Sequence, residues 1–197
     1  MAKIVRLSVP LLLLLIVLLP LAAESGESGD LRPSQEFSQA LGFQGGALSG
    51  TGLSYFRQGE KLSWQVAGGA LYSPVSDQSF LANVLDYTIG VELHFPVYAS
   101  VYKDWLEGQL YLFTGLNHRG TISKEYSVAL EAEFAGEYTS KFGIGGGIGI
   151  ELILFDHFSL PFEIGYGFFF LPTLGPNLAD KLRINIVPQA GFRYRYN

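Results

Sequence analysis

The sequence predicts an all-β chain, an antiparallel up-and-down transmembrane β-barrel of eight strands. Three observations carry this: a period of two recurs in segment after segment, glycine collects on one face of several segments, and a charged-then-apolar leader precedes them. From about residue 40 onward no segment keeps a helical period.

The leader "MAKIVRLSVPLLLLLIVLLPLAAES" opens with Lys3 and Arg6, runs apolar from Leu11 to Leu21 and ends in Ala22 and Ala23. That order is expected of a cleaved signal peptide over residues 1–23, since the apolar run is short of the ~20 residues a spanning helix needs. Residues 24–35, rich in Gly, Ser and acid with Pro33, read as a flexible leader to a barrel over 36–197.

Strands are expected near 47–57, 61–72, 85–97, 105–117, 141–155, 159–171 and 182–196. In the last, Leu182, Ile184, Ile186, Phe192, Tyr194 and Tyr196 alternate with Arg183, Asn185, Gln189, Arg193 and Arg195. In 159–171, Phe162, Ile164, Tyr166 and Phe168 alternate with Glu163, Gly165 and Gly167; in 141–155, Ile144, Ile148, Ile150 and Leu152 alternate with glycines and Glu151. Tyr87 to Val97 places Glu92 and His94 on the polar face, and 105–117 places Glu107 and Gln109 there. Closure with both termini at one end needs an even count, so an eighth strand is expected at 36–44, turning at Gly45-Gly46, or at 125–138.

Such strands suit either a soluble barrel with its apolar face inward or a membrane barrel with that face toward lipid. Glycine along 143–149 and 165–167 is a poor solvated strand surface but a good lining for a crowded lumen. Aromatics near the strand ends, among them Trp64, Tyr72, Tyr87, Phe95, Phe168, Phe170 and Phe192, fit the girdles at two membrane interfaces. Short connections at 57–61 and 155–158 are expected at the periplasmic end, with outer loops at 73–84, 117–140 and 172–181 and an intermediate case at 97–104.

Composition narrows the function. Of 197 residues 48% are hydrophobic and 16% charged, and 13 Lys+Arg against 18 acids with no basic run argue against nucleic acid. Without cysteine there is no disulfide, thiolate ligand or thiol nucleophile, and three histidines far apart in sequence, His94, His118 and His157, give no expectation of a metal site; no cofactor is implied.

With the leader, the alternating strands and the aromatic final strand "GFRYRYN", the chain resembles a bacterial outer-membrane β-barrel protein of the small OmpA-like or OmpX-like kind. The resemblance implies insertion in outer-membrane lipid by the barrel-assembly machinery, which in that group reads a terminal aromatic; here Asn197 follows Tyr196. It supplies no activity. A monomer is expected.

The polar face holds the candidate site. A turn at 156–158 would set Glu151 directly across from Glu163, and Arg193 and Arg195 share their lumenal parity. Two facing carboxylates repel unless a cation intervenes, so a structural cluster of Glu151, Glu163 and Arg193 is expected, with Arg195 at its lower edge and Glu92, His94 and Glu107 extending the polar lumen. Acid/base chemistry by the carboxylate pair is disfavoured in so narrow an interior, and His118 with Ser123 and Glu125 reads as solvated loop. The expected function is a non-enzymatic barrel with a structural or surface-interaction role. A secreted lipocalin-like barrel with Phe162, Phe192 and Tyr194 turned inward, or a narrow pore, is the alternative.

Overall fold

The computed structural model describes residues 37–76, 80–127, 132–134, 138–172, 175 and 177–197; the expected signal peptide and leader lie outside them. Alternation becomes a single antiparallel sheet. Its strands are β1 (Gln39–Gly46), β2 (Gly50–Arg57), β3 (Ser63–Ser76), β4 (Phe80–Lys103), β5 (Leu106–Ser127), β6 (Ala132–Phe134), β7 (Tyr138–Leu154), β8 (Phe158–Phe170) and β9 (Leu182–Tyr196). Eight of them close a ring in the order β1-β2-β3-β4-β5-β7-β8-β9, with β9 paired back to β1 and the short β6 laid against β5.

The stagger follows from the pairing. From Leu182 the ladder steps through Phe170, Phe142, His118, Ile89, Gly68, Leu53 and Phe43, and returns to β9 at Phe192, ten residues further along. Strand number and this shear together fix a tilted, narrow barrel whose interior side chains must fill.

The eighth strand is therefore the 36–44 candidate, displaced to Gln39–Gly46, and the chain turns at 47–49 rather than at Gly45-Gly46. Residues 125–138 contribute the top of β5, β6 and the start of β7. The segments expected as outer loops at 73–84 and 117–140 are largely strand, because the ladders β3–β4 and β4–β5 continue to Ser76↔Leu81 and Phe80↔Ser127. Residues 97–104 carry β4 onward to Lys103 through two register shifts. A helical turn, Leu178–Lys181, interrupts the 172–181 connection.

The apolar face points outward. Ile144, Ile148, Ile150, Phe162, Ile164, Ile184, Phe192 and Tyr194 are exposed, at 46–54% of their surface, while their odd-numbered neighbours are mostly buried. That is the arrangement lipid stabilises, and it removes the lipocalin-like alternative, whose inward Phe162, Phe192 and Tyr194 face away from the lumen. Among the described residues no helix is long and apolar enough to cross a membrane; the strands do the crossing. Aromatics cluster at both ends: Tyr55 on Trp64 and Phe158 between Phe192 and Tyr194 at the end carrying Phe37 and Asn197, and Tyr87, His118, Phe142 and Tyr138 at the other.

The hairpin of β1 and β2 is short, with eight residues in each strand. β1 pairs with β9 only as far as Gly45↔Ala190, although β9 continues to Leu182, and the 47–49 turn bends into the barrel, where Leu48 and Ser49 are fully buried. The bend uses Gly50 and Gly52 at φ 89° and 134°, a region closed to other residues without strain. Pro188 stands just beyond the last β1 pair, an edge position that tolerates a residue with no N–H.

The glycine face is the space the lumen needs. A Cβ on Gly143 or Gly167 would lie 2.7–2.8 Å from the Phe169 ring, one on Gly115 would lie 2.8 Å from Glu92 Cγ, one on Gly149 would enter the Tyr111 ring, and one on Gly90 would enter the 47–49 backbone. Gly149→Leu is accordingly expected to abolish the compact form that migrates fast on unboiled gels after refolding in detergent. Ile148→Ala, one residue away on the lipid face, is expected to retain it.

Candidate functional site in the barrel lumen

The inward side chains stack in layers along the barrel axis. Nearest the end that carries Asn197, Arg195 donates through Nη2 to the carbonyl of Phe37, at 2.8 Å, and to Gln58. Above it Arg193, with no exposed surface, donates to Glu151 at 3.4 Å and to Gln65, and its guanidinium lies 4.5 Å from the centre of the Phe56 ring. Glu151 also accepts from the Ser159 hydroxyl. Burying a guanidinium and a carboxylate costs several kcal/mol each, so both must be surrounded by partners. Arg suits this layer because its planar fork reaches a carboxylate, an amide and an aromatic face together.

The next layer holds Glu163, Glu92, His94, Tyr111 and Gln189. Tyr111 donates to Glu163 Oε1 at 2.7 Å; Gln189 Nε2 donates to Glu92 Oε1 at 2.8 Å and to Glu163 Oε2 at 2.9 Å. His94 stacks on Tyr111 with ring centres 4.6 Å apart. On its other side Gln189 Oε1 accepts the backbone N–H groups of Leu48 and Ser49, both at 2.8 Å. The in-turned hairpin is thus hydrogen-bonded to the acidic layer through one side-chain amide. Leu48 then caps that layer with Tyr111, Phe113, Phe169 and Val187 as an apolar lid inside the lumen.

The placement of the expected residues differs in one respect. The β7–β8 turn is 155–157, with Phe155 and Asp156 at φ 52° and 59°, so Leu154 pairs Phe158 and the ladder is two residues from the expected register. Glu151 therefore faces Pro161 and Glu163 faces Gly149. The carboxylates sit in adjacent layers, one matched to Arg193 and the other to Tyr111 and Gln189, and the expected face-to-face pair does not form. Arg193, Arg195, Glu92 and His94 are buried on the lumenal face as their parity requires, and Glu107 is half-buried there.

Sequence reasoning missed Gln189 as the joint, Gln65 and Ser159 as partners, and the lid. The available signal was Tyr111, Phe113 and Phe169 on the glycine-bearing parity, where bulk has no place unless neighbouring strands yield space. His118 stands on β5 with its ring stacked 4.5 Å from Phe142 on the outward face, whereas Ser123 has the opposite parity, so the two do not share a site.

Arg193→Met would leave Glu151 buried without its cation, and a loss of about 3–5 kcal/mol is expected. Urea unfolding in detergent micelles checks this, and Glu151→Gln combined with Arg193→Met is expected to be less destabilised than Arg193→Met alone.

No protein-family model matches the sequence, and no curated protein sequence does. Among solved structures, Ail, the attachment invasion locus protein of Yersinia pestis, aligns with 15% identity over 82% of this chain and all of its own, at a TM-score of 0.42. The N-terminal β-barrel domain of Pseudomonas aeruginosa OprF aligns with 12% identity over 82% of this chain and 98% of its own, at 0.42, and Neisserial surface protein A with 13% over 81% and 96%, at 0.40. The ring of eight antiparallel strands with apolar exterior and filled interior is the architecture of small outer-membrane barrels of the OmpA-like or OmpX-like kind.

Proposed function

We infer that the protein is a non-enzymatic outer-membrane barrel that anchors a surface-exposed rim of strand, with a role in structure or surface interaction. The observation that carries this is a lumen sealed by its own chain below strands that outlast it. Leu48 and its apolar neighbours close the bore, while β4 and β5 run on to Phe80↔Ser127 and β5 takes β6 against it. A sealed lumen leaves little for solute passage, so what distinguishes the molecule to its surroundings is its far end.

The polypeptide is monomeric on this reading, surrounded by outer-membrane lipid and inserted by the barrel-assembly machinery. Phe37, Asn197 and the 58–62, 104–105 and 155–157 connections face the periplasm, in keeping with short turns on that side. Export through a cleaved leader delivers it there.

The absence of cysteine makes orientation directly measurable. Leu178→Cys, on the connection at the far end, is expected to react with a membrane-impermeant maleimide on intact cells, and Glu60→Cys only after lysis; the reverse pattern would overturn the assignment. In planar bilayers the purified chain is expected to give no stable conductance steps, and regular steps would favour the pore.

A further inference from the structure

Three donor atoms from two strands on different parts of the ring converge inside the lumen. Glu92 and His94 are on β4 and Glu163 is on β8, separated round the barrel by β5 and β7. All three residues are at least 96% buried, and one ligand-type atom from each lies within 4.8 Å of the others. His94 Nε2 is 3.6 Å from Glu163 Oε1 and 3.7 Å from Glu92 Oε2.

These separations are too long for hydrogen bonds, which for N–H···O run about 2.7–3.2 Å. They are close to those of ligands sharing one ion. A tetrahedral zinc with bonds of about 2.0–2.2 Å holds adjacent ligand atoms about 3.3–3.6 Å apart. Glu92 Oε2 and His94 Nε2 have no hydrogen-bond partner, an expensive state for buried polar atoms. Neither Glu92 nor Glu163 has a lysine or arginine nitrogen within 4.0 Å among the described residues.

The surroundings fix these groups as a second layer of ligand support would. Gln189 holds the other oxygen of Glu92 and of Glu163, Tyr111 hydrogen-bonds Glu163 Oε1, and the His94 ring is stacked on Tyr111 with Phe56 5.6 Å away. We propose that Glu92, His94 and Glu163 form a divalent transition-metal site in the lumen, best suited to zinc, that ties β4 to β8 across the barrel. One imidazole and two carboxylates suit zinc better than calcium or magnesium, which take six or more oxygen ligands. A +2 ion also balances two carboxylates that no arginine touches. Two of the ligands stand two residues apart on β4 and the third lies far along the chain on β8, so the three together form no compact motif in the sequence.

The test is refolding of the full mature chain in detergent with chelator, then with zinc or cobalt(II), followed by removal of free metal and measurement of metal per folded barrel. About one zinc per chain is expected, with the visible absorption of tetrahedral cobalt when cobalt replaces it. His94→Gln and Glu92→Gln are expected to lower affinity about tenfold or more, while His118→Gln on the outer face leaves it unchanged. Wild-type barrels that retain no metal and show no tetrahedral cobalt band would overturn the site, and this readout does not depend on any variant folding. Retention of metal by the folded Glu92→Gln/His94→Gln double variant would overturn it equally.

Discussion

The structure depends on the side-chain amide of Gln189. A hairpin turn that bends into a membrane barrel brings two backbone N–H groups away from water and away from any strand partner, and each left unpaired would cost about 1–3 kcal/mol. Gln189 accepts both through one oxygen and donates through its nitrogen to Glu92 and Glu163. An aspartate or glutamate at that position could accept the turn but would add a third negative charge and donate nothing. Glutamine is the side chain that offers an acceptor to the turn and a donor to the acids at once.

With the turn held in place, the order of the lumen follows. Leu48 reaches across the bore to Gly145 and meets Tyr111, Phe113, Phe169 and Val187, so water is excluded above the acidic layer. Exclusion of water strengthens every interaction below and raises the penalty of leaving any group unmatched. The arginine layer answers this by spreading each guanidinium over several acceptors: Arg193 over Glu151 and Gln65 against the Phe56 face, and Arg195 over Gln58 and a backbone carbonyl. The glycines of β7 and β8 are the counterpart, since each removes a Cβ where a ring or a hairpin backbone must pass.

Much of this was legible in the sequence and some was not, for identifiable reasons. Parity fixes which residues face lipid, because a strand has only two faces, so the inward placement of Glu92, His94, Glu151, Glu163, Arg193 and Arg195 could be read directly. The first strand is weakly marked because "EFSQALGFQGG" mixes Phe43 and Leu41 with Gln and Gly and yields only eight residues of strand, as few as β2. The strand extensions at 73–76, 80–84 and 117–127 contain Ser, Asn and Lys that mimic loop composition once a strand leaves the lipid. Nothing local announces that 47–49 turns inward; that is decided by space opened on distant strands at Gly90 and Gly145.

The β7–β8 register shows where the outer face stops being informative. A slip of one residue would move every side chain to the wrong face, and the alternation forbids it. A slip of two preserves the alternation completely, so the lipid-facing sequence cannot distinguish Glu151 opposite Glu163 from Glu151 opposite Pro161. The lumen can. In the observed register Glu151 meets Ser159 and Arg193, while Glu163 rises into the layer of Tyr111, Gln189 and His94; in the slipped one two carboxylates would face each other. The outer face thus specifies that the chain is a barrel, and complementarity among the buried polar groups specifies which barrel it is.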